Sequence, residues 1–213
     1  MLVVHHLGIS QSDRIVWLCE ELAVPYDLIR YDRDPTTRLA PPEYRALHPF
    51  GTAPVITDGD LVLGESGAII EYIIAKYGNG RLALKANDAA FADYLFWFHF
   101  ANGSVMPSAM IDLVLRMMGQ STPAGVLNAL HARGDRAFDM IEGRLNLVPY
   151  LAGGEFTAAD IMMLFPLTTM RVFQPRDLAP YPAIRAYLRR IGTRAAFQRA
   201  MAKADPGFTP LLN

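Results

Sequence analysis

Over the first 80 residues, short apolar runs alternate with segments of helical period. Val3–His6 is a short, mostly β-branched run and predicts a strand. From Ser12 onward, apolar residues recur at intervals of three and four, which predicts an amphipathic helix. This helix should end at Val24-Pro25, because proline restricts the residue before it. The apolar face of the helix comprises Ile15, Leu18, Cys19 and Leu22.

Tyr26–Tyr31 predicts a second strand, and Pro42–Leu47 follows a polar, proline-rich loop as a short helix. Two further strand candidates, Pro54–Thr57 and Leu61–Leu63, flank Asp58-Gly59-Asp60. Glycine adopts positive φ at little cost, so this pattern predicts a hairpin. A helix over residues 65–77 completes a βαβ unit, hairpin and helix, an order that predicts a mixed four-stranded sheet.

The pattern changes near residue 81, and residues 88–203 contain no convincing strand. We therefore predict an α/β domain over residues 1–80 and an all-helical domain over residues 87–213, joined by the short linker Arg81–Ala86.

Within the helical region, Asn87 or Asp88 should cap a long helix that Pro107 kinks or interrupts. Thr122-Pro123 should begin the next helix, which runs to about Leu147. A capping box is predicted at Thr157 and Asp160, whose side chains can each accept the main-chain N–H of the other. The last two predicted helices are Tyr181–Arg190 and Arg194–Lys203.

Composition narrows the class of partner. The chain has 20 Lys and Arg against 21 Asp and Glu, so it lacks the basic excess expected of a protein that binds nucleic acid or an anionic membrane. No apolar run is long enough for a transmembrane helix, and Met1–His6 does not resemble a signal peptide, so a cytoplasmic protein is expected. A single cysteine, Cys19, excludes an internal disulfide, and no metal-ligand spacing is present.

Three short stretches could carry chemistry. Ser10 and Ser12 lie where the first strand gives way to a helix, whose free N–H groups and positive dipole end favour an anion. Taken alone, either serine could be a helix cap, and Ser12 fits that role better.

The second stretch runs from His48 to Val55. A cis bond before Pro54 would turn the chain sharply and leave the N–H and C=O of Val55 facing outward, where an extended peptide could pair with them. In the third stretch, Ser66 can cap the following helix and Glu65 can be a plain surface acid. Alternatively, Ser66 and the helix N–H groups bind a carboxylate while Glu65 binds an ammonium group.

Together these stretches resemble the amino-terminal domain of cytosolic glutathione transferases, and residues 154–161 resemble a capping box in the helical domain of that family. Residues 94–104 are similar to a bacterial and fungal subgroup. The resemblance implies a thioredoxin-like domain followed by an all-helical domain that forms an electrophile pocket and part of a homodimer interface.

The resemblance also implies that Pro54 is cis, that Val55 pairs with the cysteinyl backbone of glutathione, and that Glu65 and Ser66 hold its γ-glutamyl end. A serine hydroxyl would stabilise the glutathione thiolate, with Ser10 favoured and Ser12 as the alternative. The implied binding residues are His48, Thr52, Ala53, Pro54, Val55, Glu65 and Ser66.

Two positions depart from the family pattern. Many relatives carry Lys or Arg where Thr52 stands, with His48 as a possible substitute here, and relatives in the subgroup often carry Glu where Asn102 stands. The expected activity is conjugation of glutathione to a hydrophobic electrophile. Isomerisation, peroxide reduction and a non-catalytic binding role on the same scaffold remain alternatives.

Overall fold

The computed structural model describes residues 1–118 and 124–213. The chain divides into two compact units, one formed by Met1–Ala83 with Gly192–Pro210 and the other by Leu84–Ile191 with Leu211–Asn213. The passage from the first unit to the second falls at Ala83 and Leu84. The structure differs from the predicted helical domain over 87–213 in that Gly192–Pro210 packs within the first unit.

Four strands and ten α-helices are present in the described residues, with one π-helical segment between the fourth and fifth helices. In chain order they are β1 (Leu2–Leu7), α1 (Asp13–Leu22), β2 (Asp27–Tyr31), α2 (Pro42–Arg45), β3 (Val55–Asp58), β4 (Leu61–Gly64), α3 (Ser66–Lys76), α4 (Phe91–Phe100), the π segment (Ala101–Val105), α5 (Met106–Met118), α6 (Ala124–Leu147), α7 (Ala158–Leu167), α8 (Met170–Phe173), α9 (Pro182–Gly192) and α10 (Ala195–Ala204).

The strands form the predicted mixed sheet, in the order β2-β1-β3-β4. β1 runs parallel to β2 and antiparallel to β3, and β3 is antiparallel to β4. As a result, β1 and β4 end at the edge of the sheet where β3 begins. In the register at that edge, His5 lies beside Val55, which lies beside Gly64.

The apolar face of α1 explains why the last helix belongs to the first unit. Trp17 on α1 meets Phe197 on α10 edge to face, with ring centroids 5.3 Å apart. Arg194 adds a two-pronged ion pair to Glu21, with N···O distances of 2.7 and 2.8 Å. Both aromatic rings are buried, and burial of large apolar side chains is the main stabilising contribution in such a contact.

In the second unit, the prediction of a cap at Asn87 or Asp88 is wrong, because α4 begins at Phe91. The Asp88 carboxylate instead accepts the N–H of Lys85 at 2.6 Å. The predicted effect of Pro107 is confirmed as a π segment over Ala101–Val105 immediately before it. Proline lacks an N–H for the carbonyl four residues earlier, so the regular ladder is interrupted on its amino-terminal side.

The predicted capping box at Thr157 is confirmed at the start of α7. The predicted helix end at Leu147 is confirmed, whereas the predicted start at Thr122-Pro123 lies outside the described residues. No helix among the described residues is both long and apolar enough to cross a membrane.

Candidate functional site

The sheet topology brings the three candidate stretches to one edge. The segment from Gly8 to Ser12 follows β1, the loop from His48 to Pro54 leads into β3, and Glu65 follows β4. Because the ends of β1 and β4 adjoin the beginning of β3, all three stretches leave or enter the sheet side by side. The structure therefore groups residues that are up to 56 positions apart in the sequence.

Ser10 and Ser12 form a buried pair of hydroxyls, with their Oγ atoms 2.7 Å apart. The Ser10 hydroxyl donates to the Leu7 carbonyl at 2.6 Å, and the Leu7 N–H donates to Ser12 Oγ at 3.1 Å. Ser12 occupies the position before α1, but its side chain makes no capping bond to the helix. The expectation that Ser12 caps this helix by its side chain is therefore wrong, because its hydroxyl bonds to residues that precede it.

Two residues that the sequence analysis did not select complete this hydroxyl pair. His6 Nδ1 lies 2.8 Å from Ser12 Oγ, and His6 Nε2 lies 3.2 Å from Asp205 Oδ2. The second contact is close enough for an ion pair, although it is not aligned as a straight hydrogen bond. The Asp205 carboxylate also accepts the Ile9 N–H at 3.1 Å. No sequence pattern signals this contact, since Asp205 is separated from Ile9 by 196 positions.

The peptide bond between Ala53 and Pro54 is cis, as the resemblance implied. The expectation that Val55 presents its main chain at a sheet edge is wrong, because β3 is an inner strand and Val55 lies between His5 and Gly64 in the register. Ala53 lies just outside the strand, so the main chain of Ala53 is the one available where β3 begins.

Glu65 and Ser66 stand at the start of α3. Glu65 is exposed and adopts φ 71°, a conformation uncommon for any residue except glycine. Glu65 occupies the cap position and Ser66 is the first helical residue, so the expectation that Ser66 caps α3 is wrong. The first N–H groups of a helix have no acceptor within it, and they carry the positive end of its dipole.

Arg14 joins the serine segment to the start of α3. Its Nη1 donates to Gln11 Oε1 at 2.7 Å and to Ser66 Oγ at 3.4 Å. The side chain is wholly buried, and this burial lowers the pKa of the guanidinium to about 10, although Asp13 and Glu65 favour its charged form. Arg14 is thus a bracing residue beneath the candidate site, a role that the sequence left open against simple coverage of a helix end.

In the loop before β3, His48 Nδ1 accepts the Phe50 N–H at 3.2 Å, which stabilises the turn. The His48 ring also packs against Gly64, where an added Cβ would lie 3.3 Å from it. Thr52 is exposed. The exposed residue Arg45 lies beside this loop, since its side-chain stem is 3.7 Å from the position that a Cβ on Gly51 would take.

Cys19 takes no part in this site. It is fully buried in α1, and burial raises the pKa of its thiol to about 12, so it is an inert core residue. Among the described residues, no three His, Cys, Asp or Glu side chains are grouped so that they could hold a metal ion.

Two family models match the chain. The description "Glutathione S-transferase, N-terminal domain" applies to residues 10–76, and "Glutathione S-transferase, C-terminal domain" applies to residues 105–195. Glutathione S-transferase 3 of Schizosaccharomyces pombe is 34% identical, with 96% of this chain and 88% of that protein covered.

A crystal structure of a glutathione S-transferase from Actinobacillus pleuropneumoniae is 31% identical and superimposes with a TM-score of 0.89, covering 97% of this chain and 95% of the other. Disulfide-bond oxidoreductase YfcG of Escherichia coli is 28% identical, with 97% of each chain covered.

Proposed function

The chain belongs to the cytosolic glutathione S-transferase family, and we propose that it conjugates glutathione, as the thiolate, to a hydrophobic electrophile. The observation that carries this proposal is the convergence of a hydroxyl pair, a cis-proline loop and an open helix start at one edge of the sheet. These three parts match the chemistry of glutathione, which has a thiol, an extended peptide backbone and a γ-glutamyl zwitterion.

The docking of glutathione is supported by the chemistry of the helix start. The first N–H groups of α3 and the Ser66 hydroxyl suit the γ-glutamyl carboxylate, and the exposed Glu65 suits the ammonium group. Arg14 holds Ser66 from behind, which fixes the direction of its hydroxyl. We assign the backbone pairing to Ala53, because Val55 is already enclosed within the ladder.

The far end of glutathione carries a glycyl carboxylate, and Thr52 offers it no charge. We propose that Arg45 attracts this carboxylate, because its stem lies against Gly51 in the same loop. His48 would contribute through the shape of the loop, since its Nδ1 is engaged by the Phe50 N–H.

The hydroxyl pair is proposed to activate the sulfur. A free thiol has a pKa near 8.5, so only about 3% is thiolate at pH 7. A charge-assisted hydrogen bond of roughly 1.5–3 kcal/mol lowers a pKa by about one to two units. Ser10 is 4% exposed and Ser12 is fully buried, which favours Ser10 as the hydroxyl that reaches the sulfur. To do so, Ser10 must turn away from the Leu7 carbonyl.

The test is a Ser10→Ala variant assayed with glutathione and an aryl halide or isothiocyanate. We expect kcat/KM at pH 7 to fall by about 10- to 150-fold, with glutathione affinity nearly unchanged. Ser108→Ala is a matched control, since Ser108 is also buried and also donates to a main-chain carbonyl, at 2.9 Å, but lies in the other unit. An unchanged rate in Ser10→Ala would refute the assignment of Ser10, and a wild-type protein that neither binds glutathione nor turns over these substrates would refute the function.

A second candidate is thiol-disulfide exchange, favoured by the similarity to the oxidoreductase of Escherichia coli. The only cysteine, Cys19, is buried and protonated, so exchange would have to use the sulfur of glutathione itself. Reduction of a model disulfide by the wild-type protein and glutathione, with no conjugation of aryl halides, would select this reading. Peroxide reduction without conjugation would select the peroxidase alternative.

We further propose a cytoplasmic homodimer. Large apolar side chains are exposed on α4 and α5 of the second unit, an arrangement typical of an interaction surface. A monomer by light scattering at micromolar concentration would contradict the dimer. The exposed residues are Leu95, Phe96, Met110, Ile111 and Val114.

A further inference from the structure

Four buried polar side chains form a continuous chain that ends at the proposed catalytic hydroxyl. From the inside outward, Asp205 Oδ2 lies 3.2 Å from His6 Nε2, His6 Nδ1 lies 2.8 Å from Ser12 Oγ, and Ser12 Oγ lies 2.7 Å from Ser10 Oγ. None of the four residues is more than 5% exposed. The chain joins three separate segments: β1, the turn after it, and the residue that follows α10.

The donors and acceptors of this chain fit two alternative proton arrangements. When His6 is neutral, a proton on Nε2 faces the Asp205 carboxylate, and Nδ1 accepts the Ser12 hydroxyl. Ser12 Oγ can then accept from Ser10. When His6 is protonated, Nδ1 donates to Ser12 and Ser12 donates to Ser10, which leaves the proton of Ser10 free to point at a ligand.

We propose that His6 and Asp205 are positioning residues that take up the proton of the glutathione thiol through the two serine hydroxyls. The inference rests on the proposed function. In the step, the S–H bond breaks and its proton binds Ser10 Oγ. The original Ser10 proton passes to Ser12 Oγ, and the original Ser12 proton passes to His6 Nδ1. The products are a thiolate that accepts a hydrogen bond from Ser10 and an imidazolium paired with the Asp205 carboxylate, so no proton leaves the protein.

The charges around His6 are suited to this transfer. Burial alone would raise the pKa of Asp205, but His6, the Ile9 N–H and Arg30 together hold it below its ordinary value, so the carboxylate is ionised and ready to pair with an imidazolium. Arg30 Nη2 lies 4.0 Å from Asp205 Oδ1, and Arg33 binds the carbonyls of Gly8 and Ile9 nearby.

On the other side, α1 packs against β1 and begins with the buried residues Asp13 and Arg14, of opposite charge. The charged groups facing His6 thus comprise Asp205 as its direct partner, with the cations Arg30 and Arg33 on the far side of that carboxylate and the Asp13 and Arg14 pair on the helix.

The same bonds would also arise if the chain only stabilised the fold, since Asp205 holds the turn after β1 through the Ile9 N–H. The test therefore follows the proton itself. Glutathione is added to the wild-type protein in weakly buffered solution near pH 7. Thiolate formation is read from its ultraviolet absorbance, and proton release is read from a pH indicator. S-methylglutathione, which has no ionisable thiol, gives the protons released by binding alone, and this value is subtracted.

The proposal predicts that the wild-type protein forms thiolate with close to zero protons released for each one. In His6→Asn, an amide can still bond to Ser12 but cannot accept a proton, so about one proton should be released per thiolate. The thiol pKa should rise by about one unit, which lowers the rate about tenfold at pH 7 and much less at high pH.

His5→Asn is the matched control. His5 is a buried histidine on the same strand whose ring bonds to Tyr31 and Thr57 and has no place in the chain. This variant should keep the wild-type proton ratio and the wild-type pH profile of kcat/KM. If circular dichroism shows that His6→Asn does not fold, Asp205→Asn takes its place, with the same expected rise in the thiol pKa.

The outcomes separate the two hypotheses. A wild-type protein that forms thiolate and releases about one proton for each overturns the proton uptake and leaves the proposed function intact, and so does a His6→Asn protein that retains a ratio near zero. A wild-type protein that does not bind glutathione overturns the proposed function and this inference with it. A ratio near zero that rises in His6→Asn and is unchanged in His5→Asn supports the transfer to His6.

Discussion

The buried carboxylate of Asp160 sets two opposing effects against each other, and an Asp160→Asn variant decides between them. The carboxylate accepts the N–H groups of Leu151 and Thr157 at 3.0 and 2.9 Å, the Thr157 hydroxyl at 3.3 Å and the Tyr187 hydroxyl at 3.2 Å. These donors favour the ionised form, whereas full burial disfavours it. Asparagine keeps the shape of the side chain but removes its charge.

Burial is the larger effect, and it raises the pKa of Asp160 from 3.8 to about 6. A difference of roughly two units corresponds to about 3 kcal/mol of unfolding free energy. Because the pKa is higher in the folded protein than in the unfolded chain, this contribution is fully present below about pH 4 and is lost as the pH rises through 6. Relative to Asp160→Asn, the wild-type protein should therefore lose about 3 kcal/mol of stability between pH 4 and pH 7.

The assay is urea unfolding of both proteins across this pH range, followed by circular dichroism, which reports the helices of the second unit. The variant carries a constant penalty from its altered hydrogen bonds, so the pH dependence of the difference is the decisive quantity. Asp139→Asn is a control, because Asp139 is exposed on α6 and its substitution should change stability by less than about 0.5 kcal/mol at every pH. If the wild-type protein instead gains stability over the variant as the pH rises, the four donors outweigh burial and the reasoning is wrong.

Three further results are expected. In Arg45→Gln, the KM for glutathione should rise about two- to fivefold with kcat nearly unchanged, as loss of one exposed charge pair implies, while Arg189→Gln on α9 should match the wild-type protein in steady-state kinetics. In Arg14→Met, the unfolding free energy should fall by about 3–5 kcal/mol in urea, because a buried cation is removed from its partners; a loss below about 1 kcal/mol would contradict a bracing role. Cys19 should not react with an aromatic disulfide reagent in the native protein and should react fully in denaturant, and rapid labelling of the native protein would show that α1 is not packed as described.

Much of the fold was predictable because it depends on short-range chemistry. The alternation of β-branched and amphipathic segments predicted the four strands and the helices of the first unit. Thr157 and Asp160 are three residues apart, so their reciprocal bonds could be read directly from the sequence. Pro107 predicted an interruption, although the sequence did not show that it would take the form of a π segment. The helix Met170–Phe173 was not predicted, since four residues are too few to establish a period.

The candidate site was only partly predictable. The resemblance selected Ser10, Pro54 and Glu65, and the structure places their segments at one edge of the sheet. It also suggested a free main chain at Val55, but strand order is a property of the whole sheet, and the pairing of β3 on both sides encloses that residue.

The sequence by itself determined the local elements, the capping box and the turns, because each depends on residues within a few positions of one another. Only the tertiary structure decided that Asp205 meets His6, that Arg14 reaches Ser66, and that Gly192–Pro210 joins the first unit. These contacts join segments that are far apart along the chain, where no period or motif links the partners. They form because α10 buries its apolar face against α1, and that packing brings the residue following α10 to the end of β1.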